Sequence, residues 1–212
     1  MTPREEHAQR EAARRKAAEK EQAKQGLALP QVIIVPVTDR RLTELPASRR
    51  QEFSEHLDEL LADVKASEHR GTPAAAPAGA PSQVVQDACA LCRGHCCTLG
   101  GTHAFLDSEH LWKSGKKGAA AIKELYLSYL GSPTYEGACV YQGRTGCALP
   151  YALRSDLCNK FLCGGLEHHT DEPAFIAATT FDANVIRTTA PGDGIVDSTP
   201  SPQARGRTPR PG

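Results

Sequence analysis

Outside the stretch Cys89–Cys163 this chain of 212 residues has no cysteine, and rings are scarce throughout, with aromatics at 5% and a single tryptophan. So small a supply of large apolar side chains limits how much core the chain can build for itself. Long apolar runs are missing too. Val32-Ile33-Ile34-Val35 is cut by Pro36, and every run is far short of the ~20 residues that cross a bilayer, so no membrane partner is expected. Residues 1–26 carry seven Lys/Arg and five Asp/Glu and, Met1 aside, only alanine as their apolar component. They hold nothing like the apolar segment of a secretory signal, and the cytoplasm is the expected compartment. Excess charge is absent as well, 25 Lys+Arg balancing 25 Asp+Glu. Without a basic field, nucleic acid is not an expected partner.

The common catalytic signatures are also lacking. No GxGxxG, P-loop or GxSxG occurs, and no H-x-E precedes a P-C-x-x-C, so nucleotide enzymes, serine hydrolases and zinc deaminases have no foothold. Intrinsic catalysis is not expected, although redox or methyl-transfer assistance to a partner stays open.

What the chain does have is eight cysteines, half of them in one nonapeptide, Cys89-Ala-Leu-Cys92-Arg-Gly-His-Cys96-Cys97. The others follow as Cys139-x7-Cys147-x10-Cys158-x4-Cys163. Such density fits a disulfide framework, buried inert thiols or metal ligation. The expected reducing compartment favours ligation, and soft thiolates select zinc, copper(I) or iron–sulfur clusters.

Cys89-x-x-Cys92 is a ligand turn in which two sulfurs can converge on one ion. Gly94 can take positive φ and fold the chain back, bringing Cys96 and Cys97 to the same region. Neighbouring side chains diverge. Either one of this pair ligates while the other supports it, or the two serve different metals. Downstream, Gly143-Arg144-Thr145-Gly146 reads as a turn before Cys147. Arg154, four residues before Cys158, is one helical turn away and can hydrogen-bond an anionic metal–thiolate centre without ligating it. His95, His103, His168 and His169 lie near the cysteines and are secondary ligand candidates.

Residues 1–30 form a charged arm, helical or disordered, with no apolar stripe to bury. Within residues 31–70 a short strand over 31–38 is held to a sheet edge by Pro36. A helix follows Pro46, with Ser48 and Gln51 as a capping box and Phe53, Leu57, Leu60, Leu61 and Val64 on one face. That helix, residues 48–66, is the candidate surface for a protein partner. Residues 71–82 make a Pro/Ala/Gly linker, and residues 83–190 the cysteine domain. Inside it a helix capped by Asp107 or Ser108 breaks between Gly115 and Gly118 and ends near Gly131. Strands at 175–180 and 185–189 flank Asp182-Ala-Asn184 as a hairpin. Residues 191–212 are expected to be a disordered tail. The fold class is thus a small, mostly α, irregular, metal-stabilised cysteine-cluster domain with a C-terminal β-hairpin and disordered ends.

The order CxxC-x3-CC, a central helix, then C…GC…R-x3-C-x4-C resembles a bacterial family described as a zinc- or iron-chelating cysteine-cluster domain, to which the flagellin lysine-N-methylases are related. The matching residues are Cys89, Cys92, Cys96, Cys97, Cys139, Cys147, Arg154, Cys158, Phe161 and Cys163. Ser155 stands where the family usually has proline, and Asn159 where it often has arginine. The resemblance, over about residues 88–165, implies that the eight cysteines hold a zinc ion or an iron–sulfur cluster. The leading reading is a metal-binding protein. The alternatives are an electron-transfer or redox-sensing iron–sulfur protein, and a structural-zinc adaptor that recruits a partner.

Overall fold

The structure is a computed structural model and describes residues 2–63, 82–114, 118–170 and 172–197. Among the described residues helix predominates, with six α-helices, accompanied by two four-stranded sheets where the sequence suggests a short strand and a single hairpin.

The first sheet has the order β1-β6-β7-β8, from Gln31–Pro36, Ala174–Thr179, Val185–Thr189 and Val196–Asp197. β1 is an edge strand, as Pro36 requires, and it runs parallel to β6 with Gln31 opposite Ala174. A parallel pair needs a long crossover. Here the crossover is residues 37–173, all eight cysteines included. β6 and β7 form the expected antiparallel hairpin. β8 falls in the stretch whose Pro/Gly/Ser/Thr composition predicts a disordered tail. Val196 instead pairs with Thr188, while residues 198–212 lie outside the described residues.

β6, Ala-Phe-Ile-Ala-Ala-Thr, is buried along its whole length because a helix covers each face of the sheet. Ile33, Val35, Ala174, Ile176 and Ala178 face α3 (Gln83–Leu91), meeting its Val84, Ala88 and Leu91. Phe175 and Ala177 face α1 (Pro3–Lys24), meeting Ala18. The charged arm is therefore helical and partly buried rather than free in solvent. Thr2 caps it in a reciprocal box with Glu5, and Ala18 is fully buried. Gln25 donates to Thr188 Oγ1 at 3.1 Å, fastening the end of α1 to β7.

A second core lies among α2 (Ala47–Leu61), α4 (Ser108–Trp112) and α5 (Ala119–Ser128). Phe53, Leu57, Leu111, Trp112, Ile122, Tyr126 and Tyr141 are its main members. The apolar face of α2 is thus covered within the chain, at the expected Phe53, Leu57 and Leu61; Val64 lies outside the described residues. The Ser48 capping box does not form. Helix α2 begins at Ala47 with Pro46 as its cap, which puts Ser48 inside the first turn, and Gln51 bonds Glu55 instead. Asp107 caps α4 by accepting from His110 N, and Gly118 at φ +90° precedes α5. α5 stops at Ser128, a little before Gly131.

The second sheet is a small one, β2-β3-β4-β5, from Leu42–Thr43, Thr134–Tyr135, Gln142–Gly143 and Gly146–Cys147. Residues 71–81, most of the expected linker, lie outside the described residues. Segments 31–63 and 82–190 nevertheless share both sheets, because β1 pairs with β6 and β2 with β3. Among the described residues no helix is long and apolar enough to cross a membrane.

Candidate metal centre

Cys89 and Cys92 stand at the C-terminal end of α3, Cys89 in its last turn and Cys92 as its cap. The helix lies where it does because Val84, Ala88 and Leu91 recur on the face turned to the sheet. Its last carbonyls find a partner in Arg187 of β7, buried at 2% exposure, whose guanidinium donates to Ala90 O at 3.2 Å and Leu91 O at 3.4 Å. A cation at the C-terminal carbonyls is favourably placed, and it fixes the helix end that carries both cysteines.

Arg93 and Gly94 then adopt consecutive left-handed conformations, φ +53° and +76°. They reverse the chain into a 3₁₀ helix, Cys96–Gly100. Gly94 acts as the sequence predicts, and crowding adds a second reason for glycine. A Cβ there would meet Ala138 Cβ at 2.8 Å and Gln142 Cγ at 2.9 Å. This contact sets the nonapeptide against the segment that carries Cys139.

From the other side Cys163 arrives on a short 3₁₀ turn, Gly164–Leu166. Gly165 packs so tightly on β1 that an added Cβ would collide with Ile34 O. One cavity results, with a volume of about 30 Å³ and with Cys89, Cys92, Cys96 and Cys163 in its lining, beside His95 and Phe161. It admits a water-sized body.

The remaining cysteines lie on the helical side. Cys139 belongs to the helical core, and Cys97 and Cys147 pack against it. Cys147 sits opposite Gln142 in the β4–β5 hairpin, across the turn expected at 143–146. Cys158 rides on α6 (Asp156–Lys160), capped by Ser155, whose hydroxyl accepts from Cys158 N at 3.2 Å. Its Sγ is 3.9 Å from Ala104 O, in the same core. Thus Cys96 lines the cavity, and its neighbour Cys97 faces the helical core.

Gln142 joins the two groups. Buried at 1% exposure, it donates to Cys89 O at 3.2 Å, and its carbonyl lies 3.6 Å from Cys97 Sγ. Arg154 is extended, ahead of α6 rather than on it, so the helical-turn argument linking it to Cys158 fails. It donates instead to Leu149 O at 2.8 Å and Cys147 O at 3.2 Å. Arg49 of α2 donates to Ala138 O at 2.6 Å, next to Cys139. Gln142, Arg49 and Arg187 carry no sequence signal of this role, because each acts across contacts distant in the chain.

Burial, reinforced by the thiols of Cys92, Cys96 and Cys163, pushes the Cys89 thiol up to about 12. The Cys96 thiol on Cys92, followed by burial, drives Cys92 strongly upward. Cys96 is drawn down by its contact with Cys92, but Cys97, burial and Cys163 prevail and push it up to about 12. Burial takes Cys139 to about 12, with Cys147 and Cys158 adding to it. Cys147 is raised by burial against the opposing charge of Arg154, and Cys163 by burial and then Cys92. Without a metal these thiols keep their protons at neutral pH. That argues against a nucleophilic cysteine, which needs a depressed pKa.

All eight cysteines are free thiols, and their donor set fits a tetrahedral zinc ion or an iron–sulfur cluster. Among the described residues, however, no group of three or more His, Cys, Asp or Glu side chains is already set to hold a metal ion. Cys92 Sγ, for one, is 3.3 Å from Cys89 O and donates its proton there. His103 accepts from Phe105 N and stacks edge-on with His56, and His169 bonds Leu166 O. Only His95 of the four candidate histidines lines the cavity. Comparison with protein-family models, with curated proteins and with solved structures found no match to this chain.

Proposed function

We propose that this protein binds a metal, as a zinc ion or an iron–sulfur cluster, through Cys89, Cys92, Cys96, Cys97, Cys139, Cys147, Cys158 and Cys163. The observation that carries the reading is the cavity at the end of α3, where two stretches of chain distant in sequence, the nonapeptide with Cys89, Cys92 and Cys96 and the turn with Cys163, share one lining. Inert core thiols have no reason to share one small opening to solvent. The resemblance to the cysteine-cluster family supports the same donor set. Binding releases the thiol protons, and bound metal supplies cross-links between segments that otherwise meet only by packing. Arg154 then offsets negative charge near Cys147, and Arg187 keeps the α3 terminus in place.

The role proposed is binding, with these thiols as ligands. The test is metal analysis and a visible spectrum of the full chain purified anaerobically with reductant. Zinc without colour supports a structural site. Iron with broad visible absorbance supports a cluster and moves the reading toward electron transfer or redox sensing. Protein that retains no metal and takes up neither zinc nor iron overturns the proposal.

A further inference from the structure

We infer that the eight cysteines make two separate four-thiolate sites, one set on the cavity of the sheet side and one against the helical core, with the boundary running between Cys96 and Cys97. This rests on the metal-binding reading and adds its stoichiometry and division of ligands. The first set is Cys89, Cys92, Cys96 and Cys163, which share the cavity lining. Cys92 and Cys163 of this set pack with the core of β1, α3 and β6. The second set is Cys97, Cys139, Cys147 and Cys158. Three of these belong to or pack on the helical core, and Cys158 Sγ approaches Ala104 in it.

The Cys96 and Cys97 thiols touch each other, but Cys96 also meets Cys92 and Cys163 of the first set, while Cys97 packs on the helical core, so the dipeptide at the seam can feed both. Cys158 and Cys163 separate for a different reason. α6 ends at Lys160, and the extended Phe161 carries the chain away toward β1. Counter-charge is heaviest on the second set, although Arg154 also acts on Cys89 of the first. Arg154 donates to the Cys147 carbonyl and Arg49 to Ala138 beside Cys139, so both arginines attend the second set. Four thiolates around a divalent ion carry a formal charge of −2, which such cations offset.

The experiment titrates the reduced, metal-free full-length chain with zinc and counts bound ions by native mass spectrometry. Wild type should take two. Cys163→Ser and Cys158→Ser should each take one, and the double variant none. Both positions leave the main core side chains untouched, and hydrogen exchange of β6 and β7 checks that each variant is folded. Cys96→Ser and Cys97→Ser, made as a second pair, should likewise each lose one zinc. A wild type that takes one zinc, lost in either variant, overturns the division while leaving metal binding intact. Two zincs lost together in a single variant mean a shared binuclear centre and overturn it as well. A wild type that takes none removes both the division and the reading beneath it.

Discussion

The two sides of the molecule bury themselves with different materials. The sheet side is made mostly of small and branched residues around one ring, Phe175, with β6 supplying Ala174, Ala177 and Ala178, so that α1 and α3 can press close to the strand. The helical side is made of rings: Phe53, Trp112, Tyr126 and Tyr141 are all fully buried there, and Phe53 meets Tyr141 edge to face at 5.4 Å between centroids. A chain with few aromatics has thus gathered four of its buried rings in this one core. The sheet side should therefore resist loss of volume and resent its gain, and the helical side the reverse. Each side also holds its own half of the cysteines.

Phe53→Ala should have the largest effect, destabilising by about 3–5 kcal/mol through the cavity it leaves. Hydrogen exchange should lose protection first in α2 and α5 while β6 and β7 keep theirs. Equal loss in both would show one cooperative core and break the contrast. At the seam, Gly94→Ala should cost about 2–4 kcal/mol, combining overpacking against Ala138 and Gln142 with a left-handed backbone. Denaturant melts measure it, and a neutral substitution would mean that the two halves do not press together there. On the sheet side, Ala177→Leu should cost about 1–3 kcal/mol by overpacking. Its protection loss should fall on α1 and β6, and an unchanged melt would show slack beneath α1.

A different kind of effect is expected from pH, and it joins the halves instead of separating them. Cys89 and Cys96 on the cavity and Cys139 in the helical core are all raised from 9.0 to about 12. A raised thiol pKa means that the folded state holds the proton longer than the unfolded chain does. The stability this represents is complete below pH 9 and is lost as the pH climbs toward 12. Thermal melts of the reduced, metal-free protein should therefore fall across that window. A flat profile would mean that these thiols are far better solvated than their burial implies.

Much of the local structure was legible. The α2 face, the edge strand containing Pro36, a helix cap at Asp107 or Ser108, the turn at 143–146 and the β6–β7 hairpin each follow from a pattern contained in a few consecutive residues. What escaped was non-local or subtle. α1 buries a narrow line around Ala18, and alanine among charges gives no stripe for periodicity to detect. The pairing of β1 with β6 has no signal in either segment alone. Of the candidate site, the eight cysteines were legible by type, but not their grouping. Cys158 and Cys163 lie five residues apart and part company because of where α6 ends, a matter of packing rather than spacing. Arg154 was singled out for the wrong partner, since Pro150 and the turn after it keep that stretch out of α6.

The parallel pairing of β1 with β6 has a kinetic side. Strand β1 must wait for a partner made far later in the chain, and a loop of that length closes slowly because its ends must find each other by diffusion. Any link between Cys89 and Cys163 cuts the searching loop to about half, which lowers the closure cost by about 0.6 kcal/mol. A tie at the cavity would thus act as a shortcut, formed while the strand beside it is still unpartnered, and would quicken the last step of folding more than it deepens the final well.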